Sequence, residues 1–130
     1  MNPCKLLLIF PILLAQIYGV GGDSILINKP DRGAVWLKGG PCGAATTIEW
    51  SLDPRILRRL RNPAFFKYNL ELHKPDGSLV SQIATAVAGF NYCWQIPESL
   101  PEGSYKIKIL TPDRLLMGES GVFNIAEKTG

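Results

Sequence analysis

The chain has 130 residues, with 14 Lys and Arg against 11 Asp and Glu and a formal charge of +3. That length suits one small domain and is too short for two. The weak positive balance gives no basis for a general nucleic-acid surface, and no such partner is expected.

Residues 1–22 carry the parts of a secretory signal peptide. Lys5 is the single cation, Leu6 to Ala15 is apolar apart from the interruption at Pro11, and Gln16 to Gly22 ends in small residues. The apolar stretch falls short of the roughly 20 residues a bilayer span needs, and Pro11 argues against a helix packed in the mature fold. An uncleaved anchor or a buried core helix is the alternative. Cleavage is expected after Gly19, Gly21 or Gly22, leaving residues 23–130 as one domain whose formal charge falls to +2 with the loss of Lys5. No later apolar run suggests a membrane anchor, and the polar end from Ala126 to Gly130 gives no GPI-attachment tail. A soluble protein is expected, secreted to the extracellular space or the cell wall.

After the leader the chain reads as short strands separated by turn residues. Ile25 to Asn28 stops at Lys29-Pro30, and Ala34 to Leu37 is bracketed by Gly33 and Gly39-Gly40-Pro41. Thr46 to Leu52 sets Ile48, Trp50 and Leu52 against Thr47, Glu49 and Ser51. Between Pro54 and Arg61, Ile56, Leu57 and Leu60 are spaced for one turn of a short helix lying in a loop. Phe66 to Leu72 alternates again, Pro75-Asp76-Gly77 makes a turn, and Leu79 to Val87 follows. Phe90 to Ile96, Tyr105 to Leu110 and Gly121 to Ile125 complete the set. Seven or eight short strands with regular turn signals predict an all-β sandwich of immunoglobulin or fibronectin-III type. The inward sets predict a core of Ile48, Trp50, Leu70, Leu72, Ile83, Tyr105, Ile107, Ile109, Phe123 and Ile125.

Cys4 departs with the leader, so Cys42 and Cys93 are the sole mature pair and are expected to form a disulfide. With His73 distant, they do not make a zinc site, and neither a metal nor another cofactor is expected. Tyr105 follows Leu100-Pro101-Glu102-Gly103-Ser104, where a tyrosine hydroxyl returns to nearby backbone in immunoglobulin-like folds. Ile107 stands where an antibody-type domain places its second cysteine. The bridge is therefore expected to tie a loop to a neighbouring strand, in a fold that is not an antibody domain.

The run Ile27-x-x-Pro30-x-x-Gly33-x-x-Trp36-x-x-Gly39, followed by Ile48-x-Trp50, resembles the opening of the N-terminal domain of yeast cell-wall synthesis proteins. That domain also occurs in Ser/Thr-rich GPI-anchored fungal membrane proteins. Trp94-x-Ile96-Pro97, Leu100-x-x-Gly103-x-Tyr105-x-Ile107 and Ser120-x-x-Phe123-x-Ile125 extend the similarity over nearly the whole mature length. The resemblance implies an extracellular immunoglobulin-like module linked to assembly of cell-wall β-glucan, with no catalytic residues to carry over. Members often continue into a Ser/Thr-rich stalk and GPI signal; here a small secreted module without that tether is expected.

Catalysis is not expected. His73 is the one mature histidine and falls at a strand end beside a turn, and no Gly-x-Ser-x-Gly nucleophile motif is present. Paired carboxylates for glycoside hydrolysis depend on folding, but the acidic residues are scattered. Arg55, Arg58, Arg59 and Arg61 gather four cations in one loop and suggest an anion contact, since guanidinium forks suit phosphate and carboxylate; a solvated loop is the alternative. Trp36 and Trp94 are candidates to stack on sugar rings if exposed, whereas Trp50 is expected in the core. Two functions follow: a cell-wall-associated binding or scaffolding module for polysaccharide such as β-glucan, or an effector-like secreted protein that binds another protein.

Overall fold

The computed structural model describes residues 23–42, 46–60, 62 and 66–127. The expected leader, residues 1–22, and Arg61 lie outside them. Among these residues, nine strands and one short helix follow in order: β1 Ile25–Lys29, β2 Val35–Leu37, β3 Thr47–Leu52, α1 Pro54–Leu57, β4 Lys67–His73, β5 Leu79–Ala88, β6 Asn91–Cys93, β7 Gly103–Leu110, β8 Met117–Glu119 and β9 Phe123–Ala126.

Two sheets form. The first has the order β1-β3-β6 and is antiparallel throughout. The second has the order β2-β9-β7-β4-β5, with β8 also on β7. The chain leaves the first sheet at the cis Lys29–Pro30 bond and enters the second as β2, which runs parallel to β9. β8 and β9 share one edge of β7, β8 against Lys108–Leu110 and β9 against Gly103–Tyr105. Between them the ladder breaks, and Ser120 fills the gap: its Oγ accepts from Ile107 N at 2.9 Å while its own N donates to the Ile107 carbonyl. Along one side the sheets meet through β1 and β8. Ser24 N donates to the Met117 carbonyl, and a Cβ on Gly118 would lie 1.9 Å from the Ile25 carbonyl oxygen, so only glycine fits there.

Alternation along the strands decides what goes inside. Ile48, Trp50 and Leu52 of β3 meet Leu70 and Leu72 of β4, Tyr105, Ile107 and Ile109 of β7, and Phe123 and Ile125 of β9, all buried. Ile83 departs from the expected core and is only partly buried. It lies on β5, an edge strand whose register against β4 slips by one residue three times, and each bulge turns the following side chains away from a strict in-out pattern. β5 carries no charged residue over its ten positions. The expected strand from Phe90 to Ile96 shortens to Asn91–Cys93 because the chain then leaves the sheet to bury Trp94 and Ile96.

The disulfide joins Cys42, in the connection before β3, to Cys93 of β6, with Cα atoms 5.5 Å apart. Since Thr47 of β3 pairs with Cys93, the bridge ties a loop to a strand neighbouring its own, as expected. Trp36 and Trp94 are 7% and 5% exposed. Trp36 packs edge-on to Phe123 at 5.4 Å and tilts against Trp94 at 6.3 Å, so these two rings bridge the sheets as core. The Tyr105 hydroxyl donates to the Pro101 carbonyl at 2.5 Å, closing the corner before β7. At the same end the buried Lys38 ammonium donates to the Leu100 carbonyl and pairs with Glu127 at 2.8 Å.

Replacing Cys42 or Cys93 with serine should cost about 4 kcal/mol, the chain-entropy value for a loop of this length, read from denaturant midpoints. Tyr68 supplies a second expectation. Its ring is fully buried against Trp50 and Phe90, and its hydroxyl has no hydrogen-bond partner among the described residues. Burial pushes its pKa up to about 12, because the phenolate would lose its hydration. The folded state thus holds this proton more tightly than the unfolded chain, whose tyrosine ionises near pH 10. Stability should be intact below about pH 10 and fall towards pH 12. Tyr68→Phe should flatten that decline and leave neutral-pH stability unchanged or raised by up to about 1 kcal/mol; thermal melts across the alkaline range check both.

Candidate functional site

Three connections come together at one end of the two sheets. β3 exits there into α1 and residues 58–66, which lead to the start of β4. Ala88, at the end of β5, pairs with Lys67 at the start of β4, so the short link to β6 lies at this end. The end of β7 pairs Leu110 with both Asn69 and Met117, which places the 111–116 turn here too.

Between the turn and the segment entering β4 is a cavity of about 380 Å³. Leu60, Phe66, Pro112, Leu115 and Leu116 supply its apolar wall, and Lys67, Thr111 and Asp113 its polar edge. The volume lies in the range of small binding pockets. Leu115 is 56% exposed, and Leu57 is 45% exposed on α1. Ile56 alone of this turn is fully buried and seats the helix on the core, while Leu57 faces outward.

The turn is held by its own polar groups. Asp113 Oδ1 accepts from Leu115 N at 3.0 Å and from Thr111 Oγ1 at 2.7 Å, and Leu116 N donates to Thr111 Oγ1. Arg114 N donates to the Thr111 carbonyl, and Arg114 itself takes a left-handed backbone with φ of 63°. The Leu115 amide, then the Thr111 hydroxyl, favour the charged carboxylate and hold Asp113 below the usual carboxylate range. These contacts fix Leu115 and Leu116 at the cavity before anything binds.

The arginine loop divides. Arg55 is committed within the chain: its backbone N and Nε donate to Asp53 Oδ1, and its Nη2 donates to Oδ2 at 3.0 Å. Asp53 caps α1, with Pro54 following at a position that needs no amide donor. Arg55's hydrogen bonds lower the Asp53 pKa, and the carboxylate in turn raises that of Arg55. Arg58 and Arg59 are exposed and form no ion pair among the described residues. The four-cation cluster read from the sequence is therefore two free cations and one internal pair, with Arg61 outside the described residues. Lys67 and Arg114 join them from β4 and the 111–116 turn, positions that the charge pattern of one window does not bring together.

Trp36 and Trp94 do not offer faces to a sugar; their burial is a correction to the stacking role considered for them. A second cavity of about 350 Å³ lies beside the disulfide, between Ser81, Gln82 and Ile83 of β5 and the segment from Tyr92 to Pro97. His73 is buried, with Nδ1 2.9 Å from the Gly77 carbonyl and Nε2 2.8 Å from Glu71 Oε1. Both nitrogens are thus engaged within the β4–β5 hairpin. Among the described residues, no three His, Cys, Asp or Glu side chains gather as metal ligands, and no helix is long and apolar enough to cross a membrane.

No protein-family model matches the chain, and no curated protein or solved structure matches it.

The Asp113 contacts set a pH range for the turn. A carboxyl whose folded pKa lies below the unfolded value of about 3.9 stabilises the fold above that value and loses its effect as pH falls through the lowered one. The Leu115 and Leu116 amide resonances should stay constant from neutral pH to about pH 4 and move only below it. Asp113→Asn should abolish that acid transition.

Proposed function

We propose that this chain is a secreted, disulfide-pinned, immunoglobulin-like module that binds a protein outside the cell without catalysing a reaction. The observation that carries the reading is the apolar cavity at the end where three connections come together, with exposed Leu115 and Lys67 in its lining and Arg58, Arg59 and Arg114 within two residues of lining positions.

The strand order supports the immunoglobulin-like part. With β3 as the second strand of such a fold, the β1-β3-β6 sheet faces a sheet in which β9, β7 and β4 lie side by side and β5 extends the row. That is the arrangement in which the sheet of the third, sixth and seventh strands gains an additional strand. The Tyr105 corner bond has the matching place at the start of β7. Ile107 occupies the usual position of the intersheet cysteine, and the bridge has moved to Cys42–Cys93. In this reading the β3–β4 and β7–β8 connections are the loops that variable domains use for recognition.

The signal-like leader and the lone disulfide support export. For neutral β-glucan the support is the resemblance to cell-wall synthesis proteins. Burial of Trp36 and Trp94 withdraws the rings best suited to stack on it. Exposed leucines beside unpaired arginines match the anchors of protein interfaces better.

A photo-crosslinking residue at position 115 should capture partner proteins from the extracellular fraction of the source cells. The same residue at position 79, exposed at the far end of β4–β5, should not. The mature protein should remain in the supernatant when insoluble β-glucan is pelleted. Pelleting with the glucan, together with equal or absent adducts at the two positions, would replace this reading with the wall-polysaccharide one.

A further inference from the structure

Resting on that reading, we infer that the partner presents an acidic segment bearing one large apolar side chain, and that this side chain enters the cavity between Phe66 and Leu115. The argument begins with charge. Arg58 and Arg59 precede the cavity wall at Leu60, Lys67 lines it, and Arg114 sits between two of its lining residues. None of the four has an ion-pair partner among the described residues. Of the carboxylates close by, Asp53 is paired with Arg55. Asp113, held only by the neutral Thr111 hydroxyl and Leu115 amide, keeps its charge at the cavity edge, leaving an excess of three positive charges. An isolated surface arginine needs no partner, but an excess of cations on the segments that form one apolar opening makes a field that selects acidic neighbours and repels basic ones.

The apolar component selects the rest of the ligand. The cavity holds about 380 Å³ and its wall is chiefly hydrocarbon, so a polar chain would lose hydration there without gaining hydrogen bonds. One aromatic or large aliphatic side chain would gain burial at little entropic cost, because the Thr111–Asp113 contacts already hold the turn in place. Exposed Leu57 and Leu115 would then be covered by the flanking residues of the same segment. A second copy of this chain is a poor occupant, because a two-fold contact through this end would set arginines against arginines. A neutral glycan would leave the cations unused.

The test is an amide chemical-shift titration of the mature protein with three peptides: acetyl-Glu-Glu-Phe-Glu-Glu-amide and its counterparts with serine or lysine in place of glutamate. The acidic peptide should shift the amides of Leu60, Lys67, Leu115 and Leu116 and bind about tenfold more tightly than the serine peptide at low salt. That advantage should shrink as salt rises through about 0.5 M. The triple variant Arg58→Ser, Arg59→Ser, Arg114→Ser should reduce the acidic peptide to the affinity of the serine one, with the remaining resonances unmoved as evidence of an intact fold. Leu115→Ser, which removes apolar surface without adding charge, should weaken all three. Equal binding of the acidic and serine peptides, or a preference for the lysine one, overturns the acidic-partner inference while leaving the loop end as a binding site. Absence of shifts at this end with any peptide overturns the inference and the site together.

Discussion

The close approach of β1 to β8 is the constraint on which the remaining architecture depends. The Ile25 backbone lies directly on Gly118, and hydrogen bonds from Ser24 N to the Met117 carbonyl and from Glu119 N to Asp23 join the two segments. β1 belongs to one sheet and β8 is paired in the other, so this seam closes one side of the core. It also fixes where the chain must cross, after Lys29, for β2 to reach the edge of β9. β8 is in turn the anchor of the 111–116 turn, since Thr111 N bonds the Leu116 carbonyl at the mouth of the β7–β8 hairpin. The candidate site thus inherits its geometry from a contact made by backbone and by the absence of a side chain.

Electrostatics are distributed with the same economy. At the end opposite the cavity, Lys38 is buried but satisfied by a carbonyl and a carboxylate. In the β4–β5 hairpin, His73 bridges Gly77 and Glu71. Asp53 and Arg55 cancel beside α1. Arg58, Arg59, Lys67 and Arg114, from three separate parts of the chain, form no ion pair among the described residues, and neither do Arg32, Lys106 and Lys108 elsewhere.

The all-β class and most of the core were legible because they depend on alternation, which survives any reasonable tertiary arrangement. Ile48 and Trp50, Leu70 and Leu72, and Ile107 and Ile109 are each two apart on strands buried on one face. The Cys42–Cys93 pairing was legible by elimination. Ile83 was not, because bulges at an edge are tertiary events without a periodic trace. β8 escaped notice because three residues starting at Met117 are too few to show a period. Trp36 and Trp94 looked available for ligands because each sits beside turn residues, yet the chain folds both inward, Trp36 onto Phe123 and the two onto each other. The site was half legible. The arginines stood out in one window, but their relation to Arg114, Leu115 and Lys67 exists only once β4 and β7 pair. The available signal was the Leu115-Leu116-Met117 run directly after a turn, too apolar for an ordinary solvated loop.

The ten uncharged residues of β5 leave a free sheet edge of the kind that recruits further strands. Lysine, glutamate and proline commonly blunt such an edge, and none of them is present; three one-residue slips against β4 do that work instead. Resistance of this edge to pairing with a further strand therefore rests on backbone geometry and not on side-chain charge. Deleting one residue at each of the three slips would improve the hydrogen-bond ladder and at the same time present a straight, neutral template to neighbouring molecules. Strengthening this sheet by regularising it would favour fibrils over the folded monomer, which sets a limit on how far the strand can be made ideal.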